Sequence, residues 1–115
     1  MNQISPMAFV HPDAKLGDGN IIGPFCYIDA DVVIGDNNVF QNSVTLNQGT
    51  RLGSGNEIFP GASISTKPQD LKFKGEITTA EIGDNTTLRE CVTINRGTAS
   101  KGKTVVGNNC LIMAY

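Results

Sequence analysis

The sequence has no tryptophan, a single histidine and few aromatic residues of any kind, which together make up 6% of the chain. A formal net charge of −2 also excludes the basic excess that nucleic acids and anionic membrane surfaces attract. The scarcity of aromatic rings argues against a platform for stacking bases. No apolar stretch approaches the roughly 18 residues needed to span a bilayer, and no basic segment followed by an apolar run opens the chain. We therefore expect neither a transmembrane segment nor a secretory signal.

The cysteines and the histidine do not form a recognisable catalytic or metal-binding set. The three cysteines, Cys26, Cys91 and Cys110, are odd in number and contain no Cys-x-x-Cys pair, which favours a reduced, cytoplasmic protein. With His11 as the only histidine, we expect no zinc site and assign His11 to a turn or the surface. A catalytic thiolate at Cys91 would need a base, and no histidine stands near it in the sequence.

Against these absences stands a strong six-residue repeat. Every sixth residue from Ile4 to Ile64 is apolar, and the same phase returns at Ile82, Leu88 and Ile94 and again at Val106 and Ile112. A small or compact residue usually stands two places before each apolar one, and Cys26 and Cys110 occupy such positions. A period of six does not match the 3.6-residue period of an amphipathic helix, but it fits short extended segments joined by turns. The pattern predicts an all-β solenoid of hexapeptide repeats.

Turns rich in glycine and asparagine give the length of one coil. They occur at 17–20, 35–38 and 53–56, so they recur every 18 residues, which corresponds to three hexapeptides. Glycine and asparagine tolerate a positive φ angle, so we expect one corner of each coil to use such a turn. Each turn ends in an asparagine, and these residues should stack into a hydrogen-bonded ladder along the axis: Asn20, Asn38 and Asn56.

The spacing of the turns then widens to 30 and 24 residues, which implies insertions of 12 and 6 residues. The repeat register places them within 65–81 and 95–105, in the hexapeptides that begin at Ile64 and Ile94. These two hexapeptides belong to one column of the repeat, so we predict that both insertions leave the same side of the solenoid. Insertions in solenoids often form the binding face, although solvated loops are the simpler alternative.

At this level of detail the sequence resembles the UDP-N-acetylglucosamine O-acyltransferases over essentially all 115 residues. The hexapeptides are shared by many transferases, whereas PQDLKFKGE at 68–76 is much more specific to this family. Further matching segments are 9–28, 47–64, 81–98 and 106–113. The resemblance implies a left-handed parallel β-helix of about five triangular coils. It also implies a cytoplasmic homotrimer that needs no metal or other cofactor.

The activity implied by the resemblance is the first step of lipid A biosynthesis. A 3-hydroxyacyl chain passes from acyl carrier protein to the 3-hydroxyl of UDP-N-acetylglucosamine. The resemblance assigns substrate contacts foremost to Asp70 and Lys72, and more weakly to Gln69, Asn95 and Arg96. Their chemistry is suitable, since a carboxylate can accept hydrogen bonds from sugar hydroxyls and a lysine can meet a phosphate. Asn95 stands where some family members carry a histidine.

No catalytic residue is assigned within this segment. The resemblance places the family's catalytic histidine, a general base, beyond Tyr115. We therefore expect residues 1–115 to be one hexapeptide-repeat domain, incomplete at its C-terminal end, and inactive as given.

Two other interpretations stay open at this point. One is a non-enzymatic β-helix that serves as a scaffold, an assembly unit or an ice-binding surface, although the sequence lacks sustained Thr-x-Thr ranks. The other is a sugar-nucleotide acetyltransferase that uses acetyl-CoA, which would share the hexapeptides but lack the 68–76 motif.

Overall fold

The computed structural model describes residues 1–66, 79–95 and 103–113. Within these ranges the chain forms sixteen short β-strands and no helix. The strands are β1 (Gln3–Ile4), β2 (Phe9–Val10), β3 (Lys15–Leu16), β4 (Ile21–Ile22), β5 (Tyr27–Ile28), β6 (Val32–Ile34), β7 (Val39–Phe40), β8 (Thr45–Leu46), β9 (Thr50–Leu52), β10 (Glu57–Ile58), β11 (Ser63–Thr66), β12 (Thr79–Ile82), β13 (Thr87–Leu88), β14 (Thr93–Asn95), β15 (Lys103–Val106) and β16 (Leu111–Ile112).

Successive strands take turns among three parallel sheets, so that three strands make one coil. Sheet A is β1-β4-β7-β10-β13-β16, sheet B is β2-β5-β8-β11-β14, and sheet C is β3-β6-β9-β12-β15. The described residues thus form five coils and the first strand of a sixth. We name the corners A–B, B–C and C–A after the sheets they connect. The coil count and the parallel pairing agree with the six-residue repeat.

The apolar column of the repeat fills the interior. Residues along a strand point alternately inward and outward, and the anchor position of each hexapeptide points inward. Leu46, Ile58, Ile64 and Leu88 are fully buried, as the repeat predicts. Ile4 is the exception with 43% exposure, because its strand lies at the end of sheet A and pairs only with β4.

The asparagine ladder is present at the C–A corner. Asn56 Nδ2 donates to Asn38 Oδ1, and Asn38 Nδ2 donates to Asn20 Oδ1, each at 3.0 Å. All three residues are buried. Thr86 continues the column, since its backbone N–H donates to Asn56 Oδ1 at 2.7 Å. Amides can both donate and accept, so one side chain satisfies polar groups on both neighbouring coils.

Close packing at the C–A corner explains the glycine that opens the turn in the first four coils, at Gly17, Gly35, Gly53 and Gly83. A Cβ atom on Gly53 would lie 2.1 Å from Asp84 Oδ1 and 2.7 Å from the Gly83 carbonyl oxygen. That carboxylate accepts from the backbone N–H of Ser54 at 2.8 Å, so the side chain of the next coil occupies the space. As expected, left-handed residues complete these turns, at Gly19, Asn37, Gly55, Asn85 and Asn109.

The A–B corner also uses left-handed residues, which the sequence did not predict. Phe25, Ser43, Gly61 and Cys91 all have a φ between 59° and 79°. Only one of these four is a glycine, and the left-handed region is unfavourable for the others. The shape of this corner is therefore set by the repeat of the coil rather than by local residue preference.

Both long connections leave from the B–C corner, as predicted. β11 and β14 are neighbours in sheet B, and the strands that follow them, β12 and β15, are neighbours in sheet C. Thr50 pairs with Ala80, 30 residues later, and Ala80 pairs with Thr104, 24 residues later, without loss of register. The segments between these strands, 67–78 and 96–102, lie outside the described residues.

Candidate functional site

The B–C corner is irregular at the point where the two long connections leave. Ser63 and Ile64 pair in register with Thr93 and Ile94, but the next pair is Thr66 with Asn95. One residue of β11 is therefore extra, which makes a β-bulge. Bulges re-aim the chain that follows them, and this one directly precedes the first connection.

The extra residue, Ser65, is held in place by one hydrogen bond. It is buried and has a φ of 64°, in the left-handed region. Its hydroxyl Oγ donates to the Gln48 carbonyl oxygen of the preceding coil at 2.6 Å. The backbone of a serine in the left-handed conformation is strained. The hydrogen bond that its hydroxyl group donates offsets part of the energetic cost of this strain. Ser65 thus fixes the direction in which the chain leaves sheet B.

The preceding coil supports this corner with polar side chains. Asn47 Nδ2 donates to the Ile64 carbonyl oxygen at 3.2 Å, which fastens the end of β11. The Ala80 N–H donates to the Gly49 carbonyl oxygen at 2.9 Å, which fastens the start of β12. Both ends of the first connection are therefore tied to the same coil.

A shallow groove lies on the outer face of sheet C and extends to the C–A corner, where Gly53, Gly83 and Gly107 line it. It has a volume of about 390 Å³, and its outward side chains include Val33, Arg51, Glu81 and Val105. Arg51 is committed within the chain, because its guanidinium donates to Asp31 Oδ1 at 2.7 Å and to the Asp31 carbonyl oxygen at 2.9 Å. The groove thus offers apolar surface beside a neutralised charge pair.

Of the residues assigned to the substrate, only Asn95 falls within the described part of the chain. Asn95 is half-buried, ends β14 and lies at the B–C corner. Gln69, Asp70, Lys72 and Arg96 lie outside the described residues, so their assignment stays a prediction. Their segments begin and end at strands that converge on this one corner, which is where the sequence register placed them.

His11 lies far from the B–C corner of the later coils. β2, which precedes His11, and β14 stand at opposite ends of sheet B, four strand spacings apart, or roughly 19 Å. His11 Nδ1 accepts from the Asp13 N–H at 3.0 Å, so it closes a turn as expected. Among the described residues no group of three or more His, Cys, Asp or Glu side chains could hold a metal ion.

The three cysteines differ in environment. Cys26 is buried, Cys110 is half-buried, and Cys91 is exposed. Burial raises the pKa of the Cys26 thiol, and its Sγ–H donates to the Gln41 carbonyl oxygen at 2.9 Å. Cys26 is therefore a neutral core residue, as its place in the small-residue column predicts.

Two carboxyl groups elsewhere on the surface have shifted pKa values. A hydrogen bond from the amino terminus at Met1 lowers the pKa of Asp18. A hydrogen bond from Arg89 lowers the pKa of Glu90, and the same guanidinium lies 4.2 Å from the centre of the Phe59 ring. Both carboxyl groups are exposed to solvent, so these contacts carry little energy.

Sequence reasoning missed Ser65 at the B–C corner and the groove on sheet C, which extends to the C–A corner. A serine just after an anchor gives no signal of a left-handed bulge. The sequence indicates the groove only weakly. Its outward residues are the ones immediately before the apolar anchors Ile34, Leu52, Ile82 and Val106.

In the part of the chain that the structure describes, there is no helix long and apolar enough to cross a membrane.

Residues 13–48 match the family described as bacterial transferase hexapeptide (six repeats). Among curated proteins, the acyl-[acyl-carrier-protein]–UDP-N-acetylglucosamine O-acyltransferase of Akkermansia muciniphila is 46% identical over 113 residues, or 98% of this chain and 44% of that protein. The Chlamydia pneumoniae protein of the same name is 40% identical over all 115 residues, or 41% of its own length.

Solved structures agree with the sequence comparison. The UDP-N-acetylglucosamine acyltransferase of Bacteroides fragilis superposes with a TM-score of 0.96 at 61% identity, covering 97% of this chain and 44% of that one. The Francisella novicida enzyme gives 0.93 at 46% identity, covering 96% and 41%. The predicted fold class is confirmed as a left-handed parallel β-helix of hexapeptide repeats. The chain spans about two fifths of the length of these relatives, and over that span it is a homologue of the UDP-N-acetylglucosamine O-acyltransferases.

Proposed function

We propose that the protein carrying this chain transfers a 3-hydroxyacyl group from acyl carrier protein to the 3-hydroxyl of UDP-N-acetylglucosamine, the first step of lipid A biosynthesis. The observation that carries the proposal is identity of 38–46% over at least 113 of 115 residues to proteins whose names state the acyl donor and the acceptor. The match includes both long connections at the B–C corner, and a shared repeat alone would not require them.

In this proposal the first connection binds the nucleotide sugar. Asp70 accepts hydrogen bonds from the sugar or the acyl region, and Lys72 holds the nucleotide as a point charge against phosphate. Gln69, Asn95 and Arg96 contribute weaker contacts. The bulge at Ser65 and the pairing of Thr66 with Asn95 support this placement, because they bring the bases of both connections together at one corner.

No residue of this chain is assigned as the general base. A base must reach the sugar hydroxyl directly or through one water molecule. His11 lies roughly 19 Å from the β14 end of sheet B, so it cannot serve a site at Asn95. The working enzyme is proposed to be a cytoplasmic homotrimer that needs no cofactor and draws its base from outside residues 1–115.

The test is a hybrid enzyme in which residues 1–113 replace the matching segment of the Bacteroides fragilis acyltransferase, chosen for its 61% identity. Acyl transfer from 3-hydroxyacyl carrier protein to UDP-N-acetylglucosamine is then measured. We expect an active hybrid, and we expect Asp70→Asn to lower kcat/KM at least about tenfold. Asp13→Asn, the same change in an exposed turn of the first coil, serves as the control.

A folded hybrid without acyl transfer would overturn the proposed activity. Acetyl transfer from acetyl-CoA in its place would favour the acetyltransferase. An active hybrid in which Asp70→Asn behaves like Asp13→Asn would remove only the assignment of Asp70. The 115-residue chain alone should show no turnover.

A further inference from the structure

In sheet B, the residue that follows each apolar anchor begins the B–C corner. His11, Asp29 and Asn47 occupy this place in the first three coils, and they form one column because the anchors before them pair in register. In the first two coils the side chain bonds to its own turn. His11 Nδ1 accepts from the Asp13 N–H at 3.0 Å, and Asp29 Oδ1 accepts from the Ala30 N–H at 2.7 Å. These two side chains therefore act as acceptors within one coil.

Asn47 is different, because its side chain donates to the next coil. Its Nδ2 lies 3.2 Å from the Ile64 carbonyl oxygen and 3.3 Å from Ser63 Oγ. A carbonyl oxygen can only accept, so the amide nitrogen of Asn47 has to face Ile64. A carboxylate such as that of Asp29 could not form this bond. The acceptor is thus replaced by a donor in the coil that directly precedes the first long connection.

The turn that carries Asn47 is itself firmly held. The Asn47 carbonyl oxygen accepts from the Thr50 N–H at 3.2 Å and from Thr50 Oγ1 at 2.8 Å, and Thr50 is fully buried. The Asn47 N–H donates to the Ile64 carbonyl oxygen at 3.0 Å. The backbone and the side chain of one well-fixed residue therefore bond to the same carbonyl group of β11.

The carbonyl group that Asn47 holds lies where the register of sheet B changes. Up to Ile64, β11 pairs regularly with β14, but then Ser65 is extra and Thr66 pairs with Asn95. A regular continuation would pair Ser65 with Asn95 and relieve the left-handed φ of 64°. Because side chains alternate along a strand, a slip by one residue reverses the orientation in which the chain leaves the sheet. The bond from the Asn47 side chain to Ile64 stabilises the observed register against this slip.

We propose that Asn47 is a positioning residue of the nucleotide-sugar site. Its side-chain amide holds Ile64, and this sets the bulge at Ser65 and the pairing of Thr66 with Asn95 at the base of both long connections. Asn47 acts through these residues and does not touch the substrate. The inference rests on the function proposed above and names a residue on which its site depends. Binding groups are only as precise as the elements that support them, so a shift at this corner should weaken the substrate contacts.

A purely structural role would have a different effect. When the Asn47 side chain changes, the Ile64 carbonyl oxygen keeps its bond from the Asn47 backbone N–H, and Ser63 is half-buried. Loss of the side-chain amide therefore leaves this carbonyl group with a partner, and the stacking of the coils is retained. The positioning role predicts weaker substrate binding with little loss of stability, whereas a structural role predicts lower stability with unchanged binding.

The experiment uses the hybrid acyltransferase described above. Asn47→Asp keeps the shape of the side chain but places an acceptor beside the Ile64 carbonyl oxygen. We expect it to raise the KM for UDP-N-acetylglucosamine at least about tenfold and to leave kcat within about twofold, because contacts made equally to substrate and transition state are weakened. Asp29→Asn is the matched control, since it is the reverse exchange in the same column and its Oδ1 can still accept from the Ala30 N–H. The control should change neither constant.

Asn47→Ala is the second variant. It removes the donor without adding a repelling oxygen, so its KM should rise less than that of Asn47→Asp, and it should melt close to the wild type. KM does not depend on the fraction of folded enzyme, so the order of the KM values separates positioning from stability. An unchanged KM in Asn47→Asp, a larger rise in Asn47→Ala, or an equal rise in Asp29→Asn would overturn the proposal. A fall in kcat alone would assign Asn47 a structural role only.

Hydrogen exchange of the 115-residue chain measures the same effect without enzyme activity. We expect Asn47→Asp to accelerate exchange in segments 63–66 and 93–95 at least about threefold, and Asp29→Asn to leave both segments unchanged. An inactive hybrid together with this change in exchange would contradict only the proposed function. Unchanged exchange in Asn47→Asp would contradict the role of Asn47, whatever the activity of the hybrid.

Discussion

The side-chain amide of Asn38 bridges two coils, donating to Asn20 Oδ1 at 3.0 Å and to the Gly53 carbonyl oxygen at 2.9 Å. Its own Oδ1 accepts from the backbone N–H of Asn56 at 2.9 Å. The three asparagines are buried, so their bonds to one another are needed to satisfy buried polar groups. The ladder is therefore a structural requirement of the C–A corner.

Asn38→Ala should lower the free energy of unfolding by about 3 kcal/mol, because it leaves buried donors and acceptors without partners. Asn2→Ala is the matched control, since Asn2 caps the same ladder at its half-buried end and accepts from the Asn20 N–H. We expect the control to cost about 1 kcal/mol. Urea denaturation of both variants measures the difference, and equal losses would contradict a role for burial in the ladder.

Gly53→Ala should destabilise the protein by about 2 kcal/mol, because its Cβ would overlap the Asp84 carboxylate and the Gly83 carbonyl group. The same change at Gly107 is the control. Within the described part of the chain, the neighbour of a Cβ there is Cys110 Sγ at 3.9 Å, an ordinary contact distance. We expect Gly107→Ala to change stability by less than about 0.5 kcal/mol in thermal and urea unfolding. A tolerated alanine at position 53 would mean that the neighbouring coil can shift.

Ser65→Gly and Ser65→Ala should separate the contribution of the hydroxyl hydrogen bond from the strain of the left-handed backbone at the bulge. Both variants lose the hydroxyl bond to the Gln48 carbonyl oxygen, but only alanine keeps the strain of the left-handed conformation. We expect Ser65→Ala to be less stable than Ser65→Gly by about 1 kcal/mol in urea unfolding. If the order is reversed, the left-handed conformation at Ser65 is incorrect.

Cys26 should make the protein less stable at alkaline pH. Its pKa is raised by burial in the folded state, whereas the unfolded thiol ionises near its ordinary value of about 8.5. As the pH rises, the unfolded state loses its proton first, so the contribution of Cys26 is complete below the unfolded pKa and is lost as the pH rises towards the folded one. Urea unfolding at several pH values should show a shallower alkaline decline for Cys26→Ala than for wild type. The exposed Cys91→Ala should decline as steeply as wild type.

Lys72→Ala in the hybrid acyltransferase should raise the KM for UDP-N-acetylglucosamine about tenfold, because a phosphate contact is lost. Lys15→Ala removes the same charge from the outer face of sheet C in the first coil and should leave the KM unchanged. Steady-state kinetics at two salt concentrations distinguish the specific contact from general attraction. Equal effects of the two substitutions would exclude Lys72 from the site.

The sequence was sufficient for the parts of the fold that repeat. The apolar column identifies the inward residues, and the asparagine spacing predicts the ladder from Asn20 to Asn56, because each position has the same environment in successive coils. It was not sufficient where one coil departs from the others. The left-handed Phe25 and the bulge at Ser65 are imposed by the coil against local preference. The substrate roles of Gln69, Asp70, Lys72, Asn95 and Arg96 came from the family resemblance and remain predictions.

At the B–C corner, the residues that determine the stacking of the coils are separate from the residues proposed to bind the substrate. β12 pairs in register with both β9 and β15, although chain segments of very different length precede these three strands. A mutation that lengthens or rewrites a connection at this corner therefore leaves the stacking of the coils intact. Substitutions in these connections can therefore change the substrate contacts while the repeats that direct folding stay the same. For this reason the connections at the B–C corner are suitable positions for libraries of variants with altered specificity.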